Sequence, residues 1–318
     1  MKLFNYKFLR TAFVAVSAVV IFAGCEDDDD NVTGPSPTDN ADAKLTARAD
    51  LSLFKAAVEK TRLTNFTKGG GPFTFFVPND DAFHAAGVNS AADLSLIDSN
   101  LLVTIVTYHI QNTGRSYVEI PLGPNANMVT QSGLTQYASR KLPPLTPNAY
   151  INGVKIIESD IRVSNGLIHV LEKVLLPPVL TTAQALTANP TYARFMQALV
   201  KTNTVTTTSG LTVFAVDNAT MIAAGYDSTT IANATGPALT TLTAIMKFHT
   251  VPKRIFSPDF VPGVPLKTVQ TGNITVAGTI GSFTLKGAGN PTPFQVAAGQ
   301  DLITTTGVIL PISGLLKP

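Results

Sequence analysis

The chain has 318 residues, 45% of them apolar and 14% charged, so core-forming material is ample and the length suggests two domains. Its 23 basic and 21 acidic residues include no cationic cluster larger than pairs such as Arg140-Lys141 and Lys253-Arg254, which excludes a nucleic-acid footprint. With a single cysteine, no intramolecular disulfide can form, and there is no tryptophan.

Lys2, Lys7 and Arg10 precede Thr11 to Gly24, an almost wholly apolar run of 14 residues. That is the length of a signal-peptide core and short of the about 20 residues a membrane span requires. Ala23 and Gly24 stand directly before Cys25, which resembles the lipobox of bacterial lipoproteins, with Phe22 where leucine is usual. The resemblance implies diacylation of Cys25, and two acyl chains suffice for stable anchoring. The bland alternative is an ordinary secretory signal with a spare thiol. Glu26, Asp27, Asp28, Asp29 and Asp30 resemble the export signal that sends some Gram-negative lipoproteins to the cell surface; the alternative is a solvated tether. Residues 26–44 hold seven acids, two prolines and almost nothing apolar, so they read as disordered, with a coil span of about 25 Å. Without the three basic residues of the signal, and without Lys44 and those seven acids, residues 45–318 keep 19 basic and 14 acidic residues. The expected division is therefore a signal over 1–24, a lipidated tether over 25–44, and a folded body beyond.

The body begins with Leu51, Phe54, Ala57 and Val58 after Asp50, one apolar helix face. The loop Gly69 to Pro72 leads to a buried strand, "FTFFV", and a polar turn opens a short helix in "PNDDAFHAAG". A further helix carries Leu101, Leu102, Ile105 and Val106, and short Val-, Ile- and Thr-rich strands follow. The chain then repeats itself. "FTFFVPNDDAF" meets "LTVFAVDNATM" at an offset of 138, "VTYHI" meets "MKFHT" at 140, and "SDIRVSNGLI" meets "QDLITTTGVI" at 141. A period this long means two tandem copies, over 45–177 and 178–318, the second starting at the linker "PPVL". In it Asn189-Pro190 reads as a helix N-cap and first residue, followed by the face Tyr192, Phe195, Met196, Leu199 and Val200. Each copy reads as an α+β domain with a mostly antiparallel sheet.

The quoted segments resemble the fasciclin (FAS1) family. "TFFVPNDDAF", with Thr74, Pro78, Asn79, Asp80 and Phe83, looks like its first motif, and Tyr108-His109 its central Tyr-His pair. Asp160 to Pro177, with Asn165, Gly166 and His169, looks like its second motif. The second copy departs from the pattern: Val216, Phe248, Thr306 and Leu310 stand where the first has Pro78, Tyr108, Asn165 and His169. The resemblance implies compact β-sandwich wedges of about seven strands, helices along one edge, and extracellular, non-catalytic adhesion or matrix association. It also suggests contact residues near the second motif and the Tyr-His helix: Glu158, Asp160, Ile161, Tyr108 and His109.

Read without the family, Asp80 or Asn79 is a helix N-cap before it is a calcium ligand, and Asn165-Gly166 is a hairpin turn. Ser164, His169 and Asp160 can be drawn as nucleophile, base and orienter of a hydrolase, but no Gly-x-Ser-x-Gly elbow is present. The position of His169 holds Leu310 in the second copy, which suits a core histidine better. His84, His109 and His169 fit no zinc spacing, so no metal or cofactor is expected. His109, at a helix end, is placed to meet the C-terminal dipole. The function expected is surface adhesion on the outer membrane, through an extracellular protein, matrix or glycan ligand. The alternative is a carbohydrate-binding accessory protein for nutrient capture, against which the absence of tryptophan counts.

Overall fold

Asn40 accepts a hydrogen bond from the Ala43 amide and caps the first helix, α1 (Ala41–Ala47), whose Ala41 and Leu45 are buried. The computed structural model describes residues 36, 38–142, 148–204, 209–297 and 299–318. The disordered stretch expected through residue 44 is thus corrected at its end. Ala41 and Leu45 at i and i+4, with Asp42 in the first turn and Lys44 in the last, make an apolar stripe with favourable end charges. Cys25 and the acids Glu26 to Asp30 lie outside the described residues.

The helices of the first half continue with α2 (Ser52–Lys60), α3 (Thr64–Lys68), α4 (Asp80–Ala85) and α5 (Ser99–Tyr108). Its strands are β1 (Phe73–Pro78), β2 (Ile110–Gln111), β3 (Gly123–Val129), β4 (Thr135–Arg140), β5 (Ala149–Ile151), β6 (Val154–Val163) and β7 (Gly166–Leu171). They form one sheet in the order β2-β1-β7-β6-β5-β4-β3. Only β1 and β7 run parallel, Phe73 opposite Gly166 through Pro78 opposite Leu171. Alternation along β1 sends Phe75 and Val77 into one core and Phe76 into another, so the strand is buried on both faces and reads as a continuous apolar run. The register of β6 slips twice, around Glu158, and such irregularities bend a strand.

The second half holds α6 (Thr182–Ala188), α7 (Ala193–Lys201), α8 (Asn218–Ala223), α9 (Ser228–Asn233) and α10 (Gly236–Phe248). Strands β8 (Leu211–Ala215), β9 (Thr250–Val251), β14 (Leu302–Ile303) and β15 (Gly307–Pro311) make a sheet ordered β14-β15-β8-β9, with β8 and β15 parallel. Strands β10 (Leu266–Lys267), β11 (Asn273–Thr279), β12 (Ser282–Lys286) and β13 (Phe294–Gln295) make a second sheet. Both halves are α+β, with one parallel strand pair each in otherwise antiparallel sheets. Asn189 caps a short 3-10 turn, Pro190–Tyr192, ahead of α7, and Val200 is 60% exposed rather than part of the buried face.

The repeat extends to the caps. Asn79 caps α4 by accepting from Ala82, and Asp217 caps α8 by accepting from Thr220. The next residue reaches across in each half: Asp80 accepts from the Leu53 amide at the start of α2, and Asn218 accepts from the Arg194 amide at the start of α7. Each serves an amide that its own helix leaves unpaired.

Candidate functional site

Asn165 lies in the hairpin turn expected of it, but the turn sits one residue earlier than Asn165-Gly166. Val163 pairs with Gly166, so the two-residue loop is Ser164-Asn165, and Gly166 is the first residue of β7. A Cβ on Gly166 would lie 1.9 Å from the Phe73 carbonyl oxygen, so the glycine is required by the close approach of β1. The buried Asn165 amide donates to the carbonyls of Phe66, Thr67 and Gly69, and its Oδ1 accepts from the Ala41 amide at 2.9 Å. One side chain thereby ties β7 to α1 and to the end of α3. In the second half Thr306 accepts from the Thr182 amide at 3.0 Å, so the departure from the motif keeps the contact to the first helix.

Thr74 and His169 hold a neighbouring loop. The Thr74 hydroxyl donates to the Thr113 carbonyl and accepts from the Arg115 amide at 2.8 Å. His169 Nε2 donates to the Arg115 carbonyl at 2.8 Å, and Nδ1 accepts from the Asp160 amide at 3.3 Å. That pattern is the neutral Nε2–H imidazole, stacked on Phe76, and burial pushes its pKa down. Both nitrogens are engaged by main chain, so the drawn triad does not form. The Asp160 carboxylate, which would have oriented the base, accepts from the Tyr117 amide at 2.7 Å instead. Asp160 itself is exposed, with φ of 59°. His169, Asp160 and Thr74 together brace residues 113–119 and present Val118, 69% exposed.

The expected contact residues divide. Tyr108 and His109 are fully buried, a correction to their reading as contacts. Tyr108 donates to the Thr135 carbonyl and accepts from Asn152 Nδ2 at 2.8 Å. His109 Nδ1 donates to the Ile105 carbonyl at 2.7 Å, and Nε2 accepts from the Leu175 amide at 3.0 Å. Burial lowers its pKa to about 4, so it is neutral near pH 7 and does not serve the helix dipole as a cation. His249 repeats the device, taking the Leu316 amide on Nε2 at 2.8 Å, and also has a pKa lowered to about 4 by burial. Each histidine staples the closing segment of its own half. Glu158 and Asp160 remain at the surface, and Ile161 is half-buried against the first core. Arg48 donates to both carboxylate oxygens of Glu158 and also binds Asp50 at 2.7 Å.

Sequence reasoning missed Asn152, which joins Tyr108 to the Tyr137 amide, and the polar contacts between the halves. Asn125 Nδ2 donates to the Arg254 carbonyl at 2.6 Å, and the Arg254 guanidinium lies 4.0 Å above the Tyr137 ring. Asp301 accepts from the Ser257 amide at 2.6 Å beside Gly153 of the first half. The motifs carry no signal for the residues between the halves, because neither copy contains the other's surface, and Asn152 lies outside the motifs. Among the described residues no group of three or more His, Cys, Asp or Glu could hold a metal ion, and no helix is long and apolar enough to cross a membrane.

The fasciclin domain model matches residues 49–177 and 190–318, most of the chain. The chain belongs to the fasciclin family. It is 29% identical over 152 residues to protein sll1483 of Synechocystis, 46% of this chain and 81% of that protein. Human stabilin-1 is 28% identical over 141 residues, and human periostin 29% identical over 134, or 43% and 42% of this chain. The matched segments are 5% and 15% of those two proteins. A solved fasciclin domain pair from the insect cell adhesion molecule fasciclin I covers 85% of this chain and 97% of its own, at 18% identity and a TM-score of 0.40. Within the first fasciclin domain the motif residues Thr74, Asn79, Asp80, Asn165, Gly166 and His169 all act on main chain, tying loops and helix ends to the sheet.

Proposed function

We propose that this fasciclin protein is a non-catalytic adhesion or interaction lipoprotein, anchored through Cys25 and displayed on the outer face of the outer membrane, where it binds an extracellular protein or matrix ligand. The tandem match to the fasciclin domain carries the reading, since fasciclin domains occur in adhesion and interaction proteins. The division into a signal over 1–24 and an acidic tether from Cys25 rests on the sequence alone. The contact face fitting the proposal carries the exposed Val118, Glu158 and Asp160, the segment of Val118 and Asp160 held by the His169 network and Glu158 by Arg48. Protease shaving of intact cells tests the display. The expected result is clipping of the folded body while a periplasmic control survives. Full protection on intact cells, with cleavage after lysis, would place the partners in the periplasm and sink surface adhesion. Cys25→Ser should release the protein from the membrane fraction.

A further inference from the structure

Between the two fasciclin domains lies a groove of about 520 Å³, within the roughly 300–1,000 Å³ range of small-molecule sites. Leu122, Pro124 and Leu142 wall it from the first domain, and Ile255, Val261 and Val264 from the second. Leu122, Leu142, Val261 and Val264 are each 45 to 53% exposed. Exposed apolar side chains scattered singly are ordinary; four converging on one concavity mark a binding surface.

The charged lining is unbalanced. Arg140 donates from Nε to the Ile120 carbonyl and from Nη2 to the Val118 carbonyl, both at 2.7 Å, which holds its guanidinium in place. Lys141 donates to the Pro258 carbonyl. Lys253 is exposed and makes no ion pair among the described residues. Against these three cations stands one acid, Asp259, whose Oδ2 is buried without a hydrogen-bond partner. Burial favours its protonated form and outweighs the opposing pull of the Lys141 and Lys253 charges, so its repulsion of an anion is blunted.

We propose that this interdomain groove binds a small single-chain amphiphile of the carboxylate class, its apolar chain between Leu122 and Val264 and its anionic head at Lys253. A neutral apolar ligand would leave the cations unanswered, and a cationic one would meet three like charges. Because both domains supply the walls, the bound molecule also ties one domain to the other.

The test is photo-crosslinking of the full chain in membranes with a diazirine-bearing dodecanoate, followed by peptide mapping. The expected labels fall on segments containing residues 122–124 and 261–266 and are competed by excess dodecanoate. Val264→Trp fills the groove from a half-exposed position and should cut this labelling at least fivefold with an unchanged melting temperature. Leu122→Trp, from the opposite wall, serves the same purpose if the first variant folds poorly. Lys253→Glu should weaken dodecanoate competition several-fold while leaving competition by dodecanol as it was. Labelling elsewhere, labelling that excess dodecanoate does not compete, or labelling that survives both tryptophan variants overturns the site. Equal competition by dodecanol and dodecanoate overturns the anionic head.

Discussion

Asn165 shows how much one buried side chain can organise. Its amide and carbonyl satisfy four main-chain groups from two other segments, the start of α1 and the end of α3. Leaving such groups unpaired costs about 1–3 kcal/mol each when water cannot reach them. Asn165→Ala should therefore destabilise the first domain by about 3 kcal/mol or more in urea unfolding, and Asn165→Thr by less, because Thr306 already fills that role in the second domain. The two stapling histidines predict a pH dependence. Each has a folded pKa near 4 against an ordinary 6.5, so the unfolded chain binds more protons between those values. Stability is fully present above about pH 6.5 and falls as pH drops through the window, by about 3 kcal/mol for each histidine. Unfolding measured at pH 7 and pH 4.5 should show the loss in both domains, and His249→Asn should flatten the slope in the second domain alone.

Strand pairing rests on two glycines at the scale of the element. Gly166 and Gly307 each open the central parallel strand of their domain, and a Cβ there would lie 1.9 Å and 2.2 Å from a carbonyl oxygen of the neighbouring strand. Gly166→Ala should cost more than 3 kcal/mol by prying β7 from β1, whereas Gly70→Ala, with nothing within 4 Å, should be near neutral. Thermal melts of the two variants separate close approach from general loss of glycine flexibility. The cap at Asn79 or Asp80 was legible from sequence because a cap acts over three residues, and the structure assigns it to Asn79. The reach of Asp80 to Leu53, 27 residues away, was not legible, since nothing local distinguishes a cap on its own helix from a cap on another.

The contact between the two domains decides the behaviour of the whole molecule. Apolar and polar groups share it, and four buried side-chain atoms there lack hydrogen-bond partners: Asn125 Oδ1, Arg254 Nε, Asp259 Oδ2 and Asp301 Oδ1. Such interfaces permit relative motion unless something ties them. Arg254→Ala removes the stacking on Tyr137, worth about 1 kcal/mol, and should raise the radius of gyration in solution scattering while each domain keeps its own melting temperature. Burial raises the Asp301 pKa to about 6, opposite in sign to the histidines. The folded state binds the extra proton between about pH 3.8 and 6, so this contribution is lost as pH rises through that window, by no more than about 3 kcal/mol. Asp301→Asn should therefore remove this opposing slope, so that the second domain's stability, followed by urea unfolding, rises more steeply between pH 4 and 6 than in the parent chain.

Sequence alone determined the α+β class, the tandem repeat and the family, because these rest on patterns written along the chain: alternating apolar residues, caps a few residues from their helices, and motifs repeating at offsets of 138 to 141. It also pointed to a core place for His169, through the leucine at the matching position, and the structure buries that histidine. Only the tertiary structure decided that Tyr108 and His109 are staples and not contacts, that Asn165 is a hub as well as a turn residue, and that two apolar walls meet beside Lys253. Those outcomes depend on which surfaces close over a residue. Burial is supplied by partners as far as 124 residues away, as from Asn165 to Ala41, and no local pattern encodes a partner at that distance.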